Sequence, residues 1–189
     1  MGSRYPSEDL SRFLQRIDRE LQQASRIVLI GGGAVGLAYH GKHATMDLDL
    51  WEASQEFWTA VERVSEQGGP RIPVHKAAIA EVPYEFESRL RRLELKLRRL
   101  EVLVPEPHDP VLMKTARGES HDLDAIEDIH RQVGLSLEVL VDRFHETKGQ
   151  VTGRHESFVI KFQSMVARLF GEETAAAIEG QLSSSSAPF

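Results

Sequence analysis

Every extended segment of this 189-residue chain falls before Asp109-Pro110, and every segment after that point has helical periodicity. A doubly wound α/β fold alternates strand and helix to its end, whereas strands gathered in one half and helices in the other give an α+β domain. The expected class is therefore α+β, a mixed sheet with flanking helices and a helical C-terminal half. Residues 8–23 place Leu10, Phe13, Leu14, Ile17 and Leu21 on one helical stripe, with Ser7 the expected N-cap. Arg26–Ile30 reads as a buried strand, Ala34–His40 as two helical turns stopped by Gly41, and Thr45–Trp51 as a strand with one buried face. Residues 57–66 are helical and 71–82 extended, and Leu93–Leu97 and Leu100–Val104 read as two further strands. Helices are expected over 111–117, 121–133, 136–147, 156–171 and 173–182. This divides the chain into a core over 1–108, a helical part over 109–182 packed on it, and a disordered tail, SSSSAPF, over 183–189.

The stretch VLIGGGAVG, residues 28–36, spells Gly31-x-Gly33-x-x-Gly36 after an apolar run, with Glu52 about 20 positions on, which is the fingerprint of a dinucleotide-binding turn. Its context argues against that use. The following helix is cut short at Gly41, acidic residues sit inside the next strand, and no further strand–helix units alternate.

Asp47 and Asp49 give the glycines a different meaning. Residues i and i+2 of a strand point the same way, so these two carboxylates project from one face, about 6–7 Å apart along the chain. Such a pair can share a divalent cation or grip two, and Mg²⁺ is commonly held by one or two carboxylates plus substrate phosphates. A Gly31-Gly32 turn lets backbone approach a triphosphate, and a helix starting near Gly33 aims its amides at that charge. The plainer reading is a solvated D-x-D on a wet strand face beside a tight turn. Two inward-facing charges beside a glycine turn nevertheless need a reason.

The segment IGGGAVGLAYHGKHATMDLDLW resembles the minimal nucleotidyltransferases of bacterial toxin–antitoxin and abortive-infection systems and their relatives. Gly31, Gly32, Ala34, Thr45, Asp47 and Asp49 match the pattern of apolar strand, Gly-Gly, small-apolar helix, Thr and D-h-D. A second stretch, LEVLVPEPHDPVLMKTARGESHDLDAIEDI, matches with Lys114, Arg117, Asp122, Asp124 and Asp128. The resemblance covers about residues 25–145. It implies a nucleotidyltransferase fold and metal-dependent transfer of a nucleoside monophosphate from an NTP, with Mg²⁺ or Mn²⁺ on Asp47 and Asp49. It also implies nucleotide contacts from Gly31, Gly32, Gly33, Lys42, Thr45, Lys114 and Arg117. The acceptor in characterised relatives is an RNA end, notably tRNA, or a protein hydroxyl, and the toxins are countered by an antitoxin protein. The family often has Arg two residues before the Thr, where this chain has His43, so Lys42 is the substitute cation. For the third carboxylate of the full fold, Glu94 and Glu101 are the candidates.

Other features are less specific. RLRRLELKLRR, residues 89–99, packs six cations into eleven residues, either as a phosphate-tracking surface or as an exposed strand protected against edge pairing. His40 and His43 could share a metal, but no further ligand pair and no H-E-x-x-H motif accompany them. Asp122, Asp124, Glu127 and Asp128 read either as a second metal site or as a solvated helix face. Trp51 and Trp58 read as packing residues, with Trp51 also placed to touch a base. Zero cysteines exclude disulfides and thiolate sites, and a net charge of −6 argues against indiscriminate nucleic-acid binding. Together with the lack of a membrane-length apolar run, this gives a cytoplasmic, membrane-free protein as the expectation. Two other function classes stay open on the sequence: a non-catalytic nucleotide- or RNA-binding module of the same fold, and a component that binds a partner through its helical half.

Overall fold

The computed structural model describes residues 3–39, 44–77, 82–149 and 155–183. It is α+β, with a five-stranded mixed sheet and a helical C-terminal half. His40, Lys42 and His43 lie outside the described residues, as does the Gly41 helix stop and the tail beyond Ser183. Two compact units are present: Met1–Ala78 with Arg89–Glu106, and Ile79–Ser88 with Pro107–Phe189.

The first unit contains the sheet. Its elements are α1 (Ser7–Glu20), β1 (Ser25–Ile30), α2 (Gly31–Tyr39), β2 (Leu48–Ala53), α3 (Gln55–Glu66), β3 (Val74–Lys76), β4 (Arg91–Arg92) and β5 (Leu100–Val104). Strand order is β3-β2-β1-β5-β4. β1 runs antiparallel to β2 and parallel to β5, β2 is parallel to β3, and β4 is antiparallel to β5. Because β1, α2 and β2 join an antiparallel pair, they cannot be the parallel strand–helix–strand unit that a dinucleotide fold requires. One sheet face carries Ile27, Leu29, Leu48, Leu50, Leu100, Val102 and Val104 into a core with Leu10, Leu14 and Ile17 of α1 and Phe57, Ala60 and Val64 of α3. The alternate residues Arg26, Val28, Ile30, Asp49, Glu101 and Leu103 therefore point to the other face.

Several expectations shift. Ser7 is the first residue of α1, with Pro6 as the cap and no side-chain cap bond. Within the extended reading of 71–82, the described residues form a strand over Val74–Lys76, and residues 78–81 lie outside the described residues. Leu93–Leu97 is not a strand: Leu95 and Leu97 donate to the carbonyls two residues back, Leu93 and Leu95, which curls the chain in successive tight turns. The leucines still pack against the core, so the alternation reported burial correctly and pairing wrongly.

The second unit contains α4 (His108–Arg117), α5 (Asp122–Val133), α6 (Leu137–Thr147), α7 (His155–Phe170) and α8 (Glu172–Ser183). Ser136 caps α6 by accepting from the Val139 amide. Phe144 of α6 lies 4.9 Å from Phe158 and 4.4 Å from Phe162 of α7, ring centre to ring centre, and the buried Phe158, Phe162, Met165 and Val166 give α7 its inner stripe.

Candidate active site

The site begins where β1 runs out. Asp49 stands opposite Ile30 in the antiparallel ladder, and the next residue, Gly31, turns the chain into α2 with φ +67°. A β-carbon on Gly31 would lie 2.7 Å from Oδ2 of Asp49. One on Gly32 would lie 2.8 Å from Oγ1 of Thr45, and one on Gly33 would lie 2.7 Å from Cδ2 of Leu48. The three glycines thus close on three residues of Thr45-Met46-Asp47-Leu48-Asp49, and a side chain at any of them would require the facing side chain to shift. Gly36 is different, since a β-carbon there meets nothing within 4 Å. The third glycine of a dinucleotide turn is needed for close helix–strand packing, and here it is not.

Thr45 is held from its other side. It exchanges backbone hydrogen bonds with Tyr5, at 2.6 Å and 3.1 Å. Asp47 lies in a bend just before β2 and not inside the strand expected over Thr45–Trp51, while Asp49 is the second residue of β2. Thr45 Oγ1 stands 3.5 Å from Oδ1 of Asp47. Both aspartates are half-buried. Since α2 starts at Gly31 and not near Ala34, its first unpaired amides belong to the glycines themselves, the positive end of the helix dipole.

Neither candidate for a third carboxylate reaches this place. Glu94 is exposed in the curled segment after β4. Glu101 is in β5 but pairs with Arg26, four residues from Ile30 along β1, about 13 Å at the rise of a strand. It faces Arg92 at 3.8 Å. The residue beside Asp49 on β3 is His75. Among the described residues, no three His, Cys, Asp or Glu side chains gather closely enough to hold a metal.

Lys114 and Arg117 belong to the second unit, where both contact Asp122. Lys114 Nζ donates to Asp122 at 3.1 Å, Arg117 donates through Nε at 2.9 Å and Nη2 at 2.5 Å, and the Glu119 amide adds a fourth bond at 3.1 Å. Asp122 is almost fully buried and Lys114 nearly so, so this acid is neither a solvated helix face nor free to bind a metal. Burial pushes the Asp122 pKa up, but the Arg117 hydrogen bond and the Lys114 charge outweigh it and hold the carboxyl below its ordinary value. Asp128 bonds to Arg131, and Glu127 to Arg168.

Sequence reading missed Asp18. It is 4% exposed, and its carboxylate accepts from the backbone amides of Arg98, Arg99 and Leu100 at 2.7–3.0 Å. Burial raises its pKa, and the amides of Arg99, Arg98 and Leu100 more than reverse that, leaving it lowered. The available signal was its position four residues after Leu14, at the margin of the apolar stripe of α1.

The family model for "Nucleotidyltransferase of unknown function (DUF6036)" matches residues 8–169. The chain belongs to this family. No curated protein and no solved structure matches it significantly. Nucleotidyltransferases generally use divalent metals and nucleoside triphosphates. The donor set here fits that chemistry: two carboxylates beside a side-chain-free backbone supply hard oxygen ligands and leave positions for phosphate and water, which is how Mg²⁺ is usually held. No helix among the described residues is long and apolar enough to cross a membrane.

Proposed function

We propose that this nucleotidyltransferase-family chain moves a nucleoside monophosphate from an NTP to a hydroxyl acceptor, on RNA such as tRNA or on protein, at Asp47 and Asp49. The observation that supports the reading is the seam in which Gly31, at φ +67°, and Gly32 close on the side chains of Asp49 and Thr45, so that a β-carbon on either would displace them. Bare backbone and helix amides beside the Asp49 carboxylate, with Asp47 bonded to the adjoining Thr45, suit a metal-bound triphosphate. Mg²⁺ or Mn²⁺ on Asp47 and Asp49 would neutralise charge on the triphosphate.

In the reaction, the acceptor oxygen bonds to the α-phosphorus while the bond from that phosphorus to the α–β bridging oxygen breaks. Pyrophosphate leaves, and the hydroxyl proton passes to solvent by way of a carboxylate of the pair. The backbone amides at Gly31–Gly33 and the Thr45 hydroxyl orient the phosphates, and Lys42 is the proposed cationic contact, since Lys114 and Arg117 are engaged by Asp122. The wider role proposed is that of a cytoplasmic toxin paired with an antitoxin protein.

The distance of Glu101 from Asp49 favours one alternative, a nucleotide-binding module that retains the fold without turnover. Incubation with α-labelled NTPs, Mg²⁺ and total tRNA separates the two. Transfer predicts labelled acceptor and released pyrophosphate, both lost in Asp47→Ala. Metal-dependent NTP binding without label or pyrophosphate from any NTP leaves the binding module standing.

A further inference from the structure

A second polar feature lies at the opposite end of β1. Arg26, Arg92, Arg98 and Arg99 line an open cleft of about 350 Å³. All four are exposed, and Glu101 is the one acidic residue of the lining. The arginines come from three places in the chain: β1, β4 and the loop entering β5. Arg98 and Arg99 are presented by a loop whose backbone is fixed, because three consecutive amides donate to the buried Asp18. Their backbone is thus tied inward and their side chains are left to solvent.

Protection of a sheet edge does not account for this cluster. The edge strand β4 is only two residues long, and Arg98 and Arg99 precede β5, which is paired on both sides. Four guanidiniums against the lining Glu101 and the buried Asp18 beneath the loop leave a net positive charge at one spot of a chain of net charge −6. The cleft has few apolar anchors, Leu97 being half-buried and Leu100 buried. Protein interfaces centre arginines among buried aromatic anchors, and among the described residues none lines this cleft, whereas a phosphodiester chain is held by cations alone. Arg26 also shares a sheet face with Asp49, at a separation of about 13 Å along β1.

We infer that this arginine cleft binds the phosphodiester backbone of an RNA acceptor, a few nucleotides from the end presented at Asp47 and Asp49. The inference rests on the transfer reading for its orientation, and it selects RNA over protein as the acceptor. The test is fluorescence anisotropy of a labelled single-stranded RNA 20-mer with the full chain over a salt series, for wild type and for Arg98→Glu/Arg99→Glu. Loss of two contacts should lower the slope of log K against log salt by about 1.4 and raise Kd at least about tenfold near 0.1 M salt. Arg98→Gln/Arg99→Gln, which keeps the backbone bonds to Asp18, should lower the slope similarly with an unchanged Tm.

Wild-type slope and affinity in both variants would overturn the inference. So would displacement of the RNA by ATP at stoichiometric concentration, or tighter binding of a poly-glutamate peptide than of RNA. Cleft-dependent RNA binding without label transfer would keep the cleft as an RNA-binding site and remove the transfer reading, with the acceptor role and orientation that rest on it.

Discussion

Replacing Gly31 by alanine tests the seam directly, and Gly36→Ala is its control. At φ +67° an L-residue bears the left-handed penalty, roughly 1–2 kcal/mol. The new β-carbon would sit 2.7 Å from Oδ2 of Asp49, so the carboxylate or the turn must move, an overpacking cost of about 1–3 kcal/mol. Reduced freedom of the unfolded chain returns roughly 0.4–1 kcal/mol. The net expectation is a loss of about 1–5 kcal/mol, or a fall in Tm of roughly 2–20 °C for a chain of this size. Gly36→Ala relieves a helix-interior glycine and meets nothing within 4 Å, so it should be neutral or stabilise by up to about 1 kcal/mol. Circular dichroism melts measure both, and Mn²⁺ titration followed by electron paramagnetic resonance reads the site apart from stability. Gly31→Ala should weaken Mn²⁺ binding at least about tenfold while Gly36→Ala leaves it unchanged. Equal stability of Gly31→Ala and wild type, or greater damage from Gly36→Ala, would refute the reasoning.

Asp18→Ala should cost about 2–4 kcal/mol in urea denaturation, because one buried and two part-buried amides lose their acceptor at up to roughly 1–3 kcal/mol each, partly offset by water entry. Asp18 and Asp122 both have folded pKa values lowered from the ordinary carboxyl value, so their stabilisation is complete above about pH 5 and is lost as pH falls through the ordinary value near 4 toward the folded values. The urea midpoint should therefore drop between pH 5 and pH 2 (about the range spanned by such shifts), and Asp18→Asn should show a shallower drop; an identical pH profile would count against the assignment. Asp122→Ala should destabilise by about 3–5 kcal/mol, since it strands Lys114 in the interior, and Asp122→Ala/Lys114→Met should recover much of the loss. A double variant no more stable than the single one would show that the buried charge is not the cause.

How much could be read from the residues depended on whether their meaning was local. The strands Arg26–Ile30 and Leu100–Val104 and the helices of the second half carried their burial in their periodicity, and each formed within a few residues of its expected bounds. Leu93–Leu97 failed because alternation reports which side chains are buried and not whether the backbone finds a ladder partner. The D-x-D spacing and the glycines were legible separately, but the pairing of Gly31 with Asp49 and Gly32 with Thr45 depends on an antiparallel register that no spacing encodes. Lys114 and Asp122 looked like surface chemistry because charged residues are usually solvated, and only packing reveals that one neutralises the other. The alternatives for the third acid could not be separated until β5 had a register against β1.

That register also gives the sheet a direction. On the face away from α1 and α3, β1 carries Arg26 near its start and delivers Gly31 to Asp49 at its end, with the buried Val28 and Ile30 between them. A cation cluster at one end and a carboxylate pair at the other make opposite demands on a ligand: the first attracts phosphate unaided, and the second repels it unless a divalent cation intervenes. A polyanion is therefore drawn to the arginine end without metal, while a triphosphate is held at the aspartate end only with metal. The two affinities should separate on addition of a chelator, which abolishes NTP binding and leaves RNA binding at the same salt intact. If chelation removed both together, the two ends of β1 would be serving one ligand, and the division of labour inferred from the charge pattern would be wrong.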